Sequence, residues 1–131
     1  MKPTIEQIMQ EAIAAHKEGK LEDAERLYRI ILKTQPKHPD ANHNLGILAV
    51  MLNKIDASLP LFETALENNQ NVKQFWLSYI GSLIKAKQFN KATKLIAEAQ
   101  KIGSLSEKEV NVYKAELASK VNKAIDGSVP P

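Results

Sequence analysis

The sequence predicts an all-α fold: a right-handed superhelical solenoid of three helical hairpins plus a C-terminal capping helix. Two observations carry that reading. The chain repeats every 34 residues without insertion, stepping from Leu21 to Ile55 to Phe89, from Ala24 to Ser58 to Ala92, from Tyr28 to Phe62 to Ile96 and from Ile31 to Ala65 to Ala99. A period of this length marks stacked helical hairpins. Within each repeat the apolar residues recur at helical spacing, in a chain rich in Ala, Leu, Lys, Glu and Gln. Such a chain presents an extended surface and does not enclose a reaction centre.

The first repeat covers about residues 5–38. Thr4 and Gln7 form a capping-box pair, and Ile5, Ile8, Met9, Ala12, Ile13 and Ala15 give the first helix its apolar stripe. Gly19 ends that helix at a turn. The partner helix runs from about Leu21 to Lys33 and buries Leu21, Ala24, Leu27, Tyr28, Ile31 and Leu32. Pro36 closes the repeat, and Pro39 opens the next in a first helical turn, where its missing N–H costs nothing.

The second repeat covers about 39–72. Ala41, Leu45, Leu48, Ala49 and Leu52 mark its first helix. Asn53 takes the turn position of Gly19, as the next residue most tolerant of positive φ. The partner helix runs from Ile55 to Glu67 with Pro60 inside it. A local kink is expected there, because one helical hydrogen bond is lost while the flanking columns stay in phase.

The third repeat covers about 73–106. Phe75, Trp76, Tyr79, Ile80 and Leu83 mark one helix and Phe89, Ala92, Leu95, Ile96 and Ala99 the other, with Gly103 as C-cap. Ser106 and Glu109 form a second capping-box pair, which starts a final helix at about 106–125. This helix is expected to cover the exposed end of the last hairpin. A single domain over 1–126 follows, with 127–131, Gly-Ser-Val-Pro-Pro, as a linker or tail.

Composition bounds the function. The 131 residues carry 18 basic and 15 acidic side chains, a net charge of +3 that suits solubility. The absence of Cys excludes thiolate nucleophiles, disulfides and cysteine metal sites. No apolar run is long enough to span a membrane, and the N-terminus lacks a secretion core, which favours the cytoplasm.

The repeat columns resemble those of the tetratricopeptide repeat family. In the second repeat the matching residues are Asn42, Leu45-Gly46, Ala49, Asn53, Ile55, Ser58, Phe62 and Ala65, with Gln70 where the family prefers Pro. In the third they are Trp76, Tyr79-Ile80, Leu83, Lys87, Phe89, Ala92, Ile96, Ala99 and Ser104, and in the first Ile8, Glu11-Ala12, Ala15, Gly19, Leu21, Ala24, Tyr28, Ile31 and Pro36. The resemblance covers residues 5–106. Small residues at Ala12, Gly46, Ala24, Ser58 and Ala92 let helices cross closely, and Tyr28, Phe62, Trp76 and Phe89 fill the space between repeats. Ile80 stands where the family prefers Gly, so the third hairpin is expected to splay slightly unless a small neighbour compensates.

The resemblance implies a partner-binding groove lined by the first helix of each repeat. It points to Glu6, Met9, Gln10, Ile13, His16 and Lys17 in the first repeat, to Asp40, His43, Asn44, Ile47, Val50 and Met51 in the second, and to Gln74, Leu77, Ser78, Gly81, Ile84 and Lys85 in the third. Gln10, Asn44 and Ser78 form a polar row at the repeat spacing, similar to a shortened asparagine ladder of sugar-transferase solenoids. That row would bond a peptide backbone while Ile13, Ile47 and Leu77 take its side chains. One subclass of the family grips chaperone C-terminal carboxylates with Lys, Asn, Asn, Lys and Arg. The matching positions here are Met9, Ile13, Asn44, Gln74 and Ser78, and only Asn44 agrees. Without a cation that partner is not expected.

A non-catalytic protein–protein interaction module is therefore the leading expectation, with a protein or peptide as partner. The alternatives are a structural or dimerisation domain of a larger enzyme such as a glycosyltransferase, or a self-associating solenoid. Arg29 is the last Arg, and no motif interleaves basic and aromatic residues, which argues against nucleic acid. No phosphate loop, metal-ligand spacing or nucleophile triad is present, so no cofactor, metal or catalytic residue is assigned.

Overall fold

A computed structural model describes residues 2–128 of the chain, with side chains through residue 123. The described residues form seven α-helices and no strand: α1 (Ile5–Lys17), α2 (Leu21–Thr34), α3 (Pro39–Met51), α4 (Ile55–Asn68), α5 (Lys73–Lys85), α6 (Phe89–Lys101) and α7 (Glu107–Ser128). First helices begin at residues 5, 39, 73 and 107, and second helices at 21, 55 and 89, each one period apart. The repeat pattern alone suggests one continuous domain, whereas the chain divides into two compact units, Met1–Tyr79 and Ile80–Pro131.

In the first unit the helices pair as hairpins, α1 on α2 and α3 on α4, and α2 packs on α3. Their core contains Met9, Ala12, Ala15, Ala24, Tyr28, Ile31, Ala41, Leu45 and Leu48. Crossing depends on size matching. A Cβ built on Gly46 would lie 2.5 Å from Cε1 of Phe62, so the ring occupies the room that the glycine leaves. Phe62 thus packs within its own hairpin, where space between repeats was expected to be its place.

The turns follow local chemistry. Thr4 Oγ1 accepts from Gln7 N at 3.1 Å and Gln7 Oε1 accepts from Thr4 N at 2.8 Å, which closes the capping box of α1. His38 Nδ1 caps α3 by accepting from Ala41 N at 3.1 Å, beside Pro39 in the first turn. The inter-repeat turns share a further device. Asn42 Nδ2 donates to the Pro36 carbonyl at 3.0 Å, and one period later Trp76 Nε1 donates to the Gln70 carbonyl at 2.9 Å. The bonded carbonyl is thus kept at this position with Gln70 in place of Pro. Inside the hairpins, Gly19 (φ 79°), Asn53 (φ 58°) and Lys87 (φ 62°) hold the left-handed turn position. Helix α4 stays unbroken through the exposed Pro60.

In the second unit α6 packs on α7 around buried Ile80, Leu83, Ala92, Ile96, Ala99, Leu105, Val110 and Leu117. Where the second repeat has Gly46 and Phe62, the third has Ile80 and Ile96, both buried. The smaller side chain at residue 96 offsets only part of the bulk added at residue 80. Phe89 is only partly buried at the start of α6.

Helix α7 corrects the expected C-terminus. It has 22 residues and runs to Ser128, taking in Gly127 and Ser128, which were expected in the tail; residues 129–131 lie outside the described residues. The reason is visible in the turn column. Gly19, Asn53 and Lys87 step to Val121, and a β-branched residue strongly resists positive φ. The chain does not turn there, and α7 continues where a fourth hairpin would form.

Candidate functional site

The expected groove residues of the first unit lie on α1, α3 and the first half of α5. Ile13, Ile47 and Leu77 are partly buried, Gln10 and Gln74 are exposed, and Met9 and His43 are buried. Lys85 belongs to the second unit, exposed on the last turn of α5.

Three polar or sulfur contacts between successive first helices of this unit join residues 35 apart, one period plus one residue. Asn44 Nδ2 lies 4.0 Å from Met9 Sδ, His16 Nε2 lies 3.1 Å from Met51 Sδ, and His43 Nε2 lies 2.8 Å from Ser78 Oγ. Met9 and His43 share one column, and Asn44 and Ser78 share the next. Each helix therefore meets the following one at the same pair of columns with different chemistry.

These contacts join into one polar network. Gln74 Nε2 donates to Ser78 Oγ at 3.1 Å, and the same oxygen is hydrogen-bonded to His43 Nε2. His43 Nδ1 is hydrogen-bonded to Asn44 Oδ1 at 3.4 Å. Asn44 also bonds the Tyr28 hydroxyl, which stands 3.2 Å from His16 Nδ1. Burial favours the neutral form of both imidazoles. Burial lowers the pKa of His16 and, more than Asn44 and Asp40 oppose it, that of His43. Burial likewise raises the Tyr28 phenol, against the hydrogen bond from Asn44. The His43 ring is held between Phe75 (centroids 4.7 Å apart) and Phe62 (5.5 Å).

The expected row of Gln10, Asn44 and Ser78 therefore divides. Asn44 and Ser78 are engaged by the preceding helix, whereas Gln10, with no helix before it, is exposed beside Thr4, Gln7 and Ala14. His16 and Met51, expected on the groove face, and Tyr28, expected only in packing, complete the network through contacts that were not foreseen. The signal for them is the 35-residue offset, which links unlike residue types and is not seen by comparing columns. Among the described residues no group of three or more His, Asp or Glu side chains could hold a metal ion, and no helix is long and apolar enough to cross a membrane.

Residues 15–77, spanning the second helix of the first repeat to the start of the third, match the tetratricopeptide repeat family. That stretch is of the tetratricopeptide-repeat kind. The backbone of the chain is similar to that of the tetratricopeptide-repeat domain of Sgt2 from Aspergillus fumigatus (TM-score 0.75, 17% identity, covering 99% of this chain and 87% of that one). It is similar to the first such domain of Spaghetti (RPAP3) bound to the HSP90 peptide SRMEEVD (0.76, 13%, 90% and 93%). It also resembles the type III secretion chaperone SycD of Yersinia enterocolitica in complex with a peptide of the translocator YopD (0.70, 15%, 94% and 93%). At these identities the likeness establishes the fold. No curated protein matches the sequence.

Proposed function

We propose that this domain is a non-catalytic interaction module that holds an extended peptide segment along the first-helix face of its first unit. The observation that carries the reading is the pairing of partly exposed Ile13, Ile47 and Leu77 with polar groups held in place by the network, Asn44, Ser78 and Gln74. Apolar side chains supply affinity and fixed polar groups supply register, the division of labour of peptide grooves. Two structurally similar proteins, RPAP3 and SycD, are seen with bound peptides. The present face lacks the cations of a carboxylate clamp, so the segment it takes is read by apolar side chains and backbone amides and not by a terminal carboxylate.

The test is selection of binders from a random peptide library on the wild-type domain, followed by titration of the selected peptides against Ile47→Glu combined with Gln74→Ala. These positions are chosen because Asn44 and Ser78 also hold the helices together. Loss of about tenfold or more in affinity supports the groove. Unchanged affinity with intact helical content overturns it.

A further inference from the structure

The second unit carries a groove of about 380 Å³ between α6 and α7, with Ile96, Val110 and Leu117 in its floor and Thr93, Ala97, Gln100 and Lys114 at its rim. The repeat shows what such a groove is for. Two periods earlier, Glu25, Arg29 and Ala49 take the places of Thr93, Ala97 and Leu117, in the crevice between α2 and α3. There α4 forms the third wall through Ala57, Pro60 and Leu61. In the second unit no described helix stands in that place, because α7 runs straight through Val121 where the first three repeats turn back. The groove is thus the seat of a second helix that α7 does not return to supply.

Charge selects among occupants. Residues 80–131 hold nine Lys against five Asp or Glu, and Lys114, the charged residue of the lining, stands on the rim itself. A second copy of this basic unit would bring like charges together, whereas an acidic helix would be drawn in. We propose that the α6–α7 groove binds an acidic amphipathic helix of a partner protein, seated as α4 is seated on α2 and α3. The chemistry expected of that helix is an apolar stripe with Leu and Ala at i, i+3 and i+4 spacing and carboxylates flanking it. This proposal concerns a different surface from the peptide-binding face above, and its failure leaves that reading standing.

The chain itself supplies the probe. Segment 55–68 is the helix that fills the equivalent crevice, and it carries Asp56, Glu63 and Glu67 with no Lys or Arg. A synthetic peptide of this sequence, with Pro60→Ala to favour the free helix, is titrated into the isotopically labelled domain. Shifts of backbone amides between residues 93 and 117 are expected to saturate, and binding should weaken with added salt. Ala97→Trp fills the groove from an exposed position and should abolish the shifts; Lys114→Glu should weaken binding about tenfold. Circular dichroism verifies that both variants stay folded. The proposal is overturned by any of three results: no saturation at millimolar peptide, shifts that persist in Ala97→Trp, or equal affinity for a peptide with all three acids replaced by amides. Light scattering adds a fourth: if the wild type dimerises with concentration and Ala97→Trp does not, a second copy covers the groove and the partner helix is excluded.

Discussion

Gly46 leaves the space that the Phe62 ring fills: a Cβ at residue 46 would stand 2.5 Å from Phe62 Cε1, inside any van der Waals contact. Both residues are buried, so neither backbone nor ring has solvent to retreat into. Gly46→Ala is therefore expected to destabilise the domain by about 1–3 kcal/mol despite its better helix propensity. Adding Phe62→Ile, the pairing logic of Ile80 with Ile96, should make the two losses non-additive. Urea denaturation of both single variants and the double variant measures this, and simple additivity would count against the size matching.

The neutral imidazoles make stability depend on pH. The unfolded chain protonates His16 and His43 at about 6.5, whereas burial keeps the folded-state values lower. In the window below about 6.5 the unfolded state binds more protons, so stability falls as pH falls and is regained above it. Replacing His43 by Gln removes one titrating group from the Ser78–Asn44 bridge. The urea midpoint of that variant should change less between pH 7.5 and 5 (about the range of imidazole titration) than that of the wild type. An equal slope would show that His43 does not contribute.

Pro60 is exposed and interior to α4, which denies the helix one backbone donor. Pro60→Ala should raise stability by about 1–3 kcal/mol, the helix gain exceeding the entropy returned to the unfolded chain. Thermal unfolding reads the change directly. A loss of stability would mean that the ring contributes more as a wall of the α2–α3–α4 crevice than it costs.

A peptide ending in the SRMEEVD sequence should show no saturable binding at millimolar concentration in calorimetry. Of the five clamp positions only Asn44 agrees, and its carboxamide is already engaged by His43 and Tyr28. Micromolar affinity for such a peptide, lost on removing its terminal carboxylate, would refute the absence of a clamp.

The Ser106–Glu109 box is reciprocal, with Glu109 N donating to Ser106 Oγ at 3.2 Å and Ser106 N donating to Glu109 Oε1 at 3.1 Å. Ser106→Ala should cost about 0.5–2 kcal/mol and fray the start of α7 first. Hydrogen exchange of the amides at 107–110 checks this, and unchanged protection would argue that packing alone holds the helix start.

The helices were legible in the sequence because packing is what the repeat preserves. Ala24, Ser58 and Ala92 must be small wherever two helices cross, so the column reads the same three times. The polar network was not legible for the converse reason. Met9 meets Asn44 and His43 meets Ser78 at equivalent places, yet a thioether–amide contact and an imidazole–hydroxyl bond share no residue type. The exposed row expected of Asn44 and Ser78 proved to be partly spent between helices. The length of α7 was written at Val121, in a column whose earlier members turn the chain, but a single β-branched residue in an amphipathic helix draws no notice until its predecessors are seen at positive φ.

The indole–carbonyl bond from Trp76 to Gln70 has an experimental use. Trp76 is the only tryptophan of the chain and is 2% exposed, in the first unit. Its fluorescence therefore watches the turn between α4 and α5. Emission and far-ultraviolet dichroism that melt together would show the two units unfolding as one cooperative body. A gap between the two curves would resolve their separate stabilities without any added label.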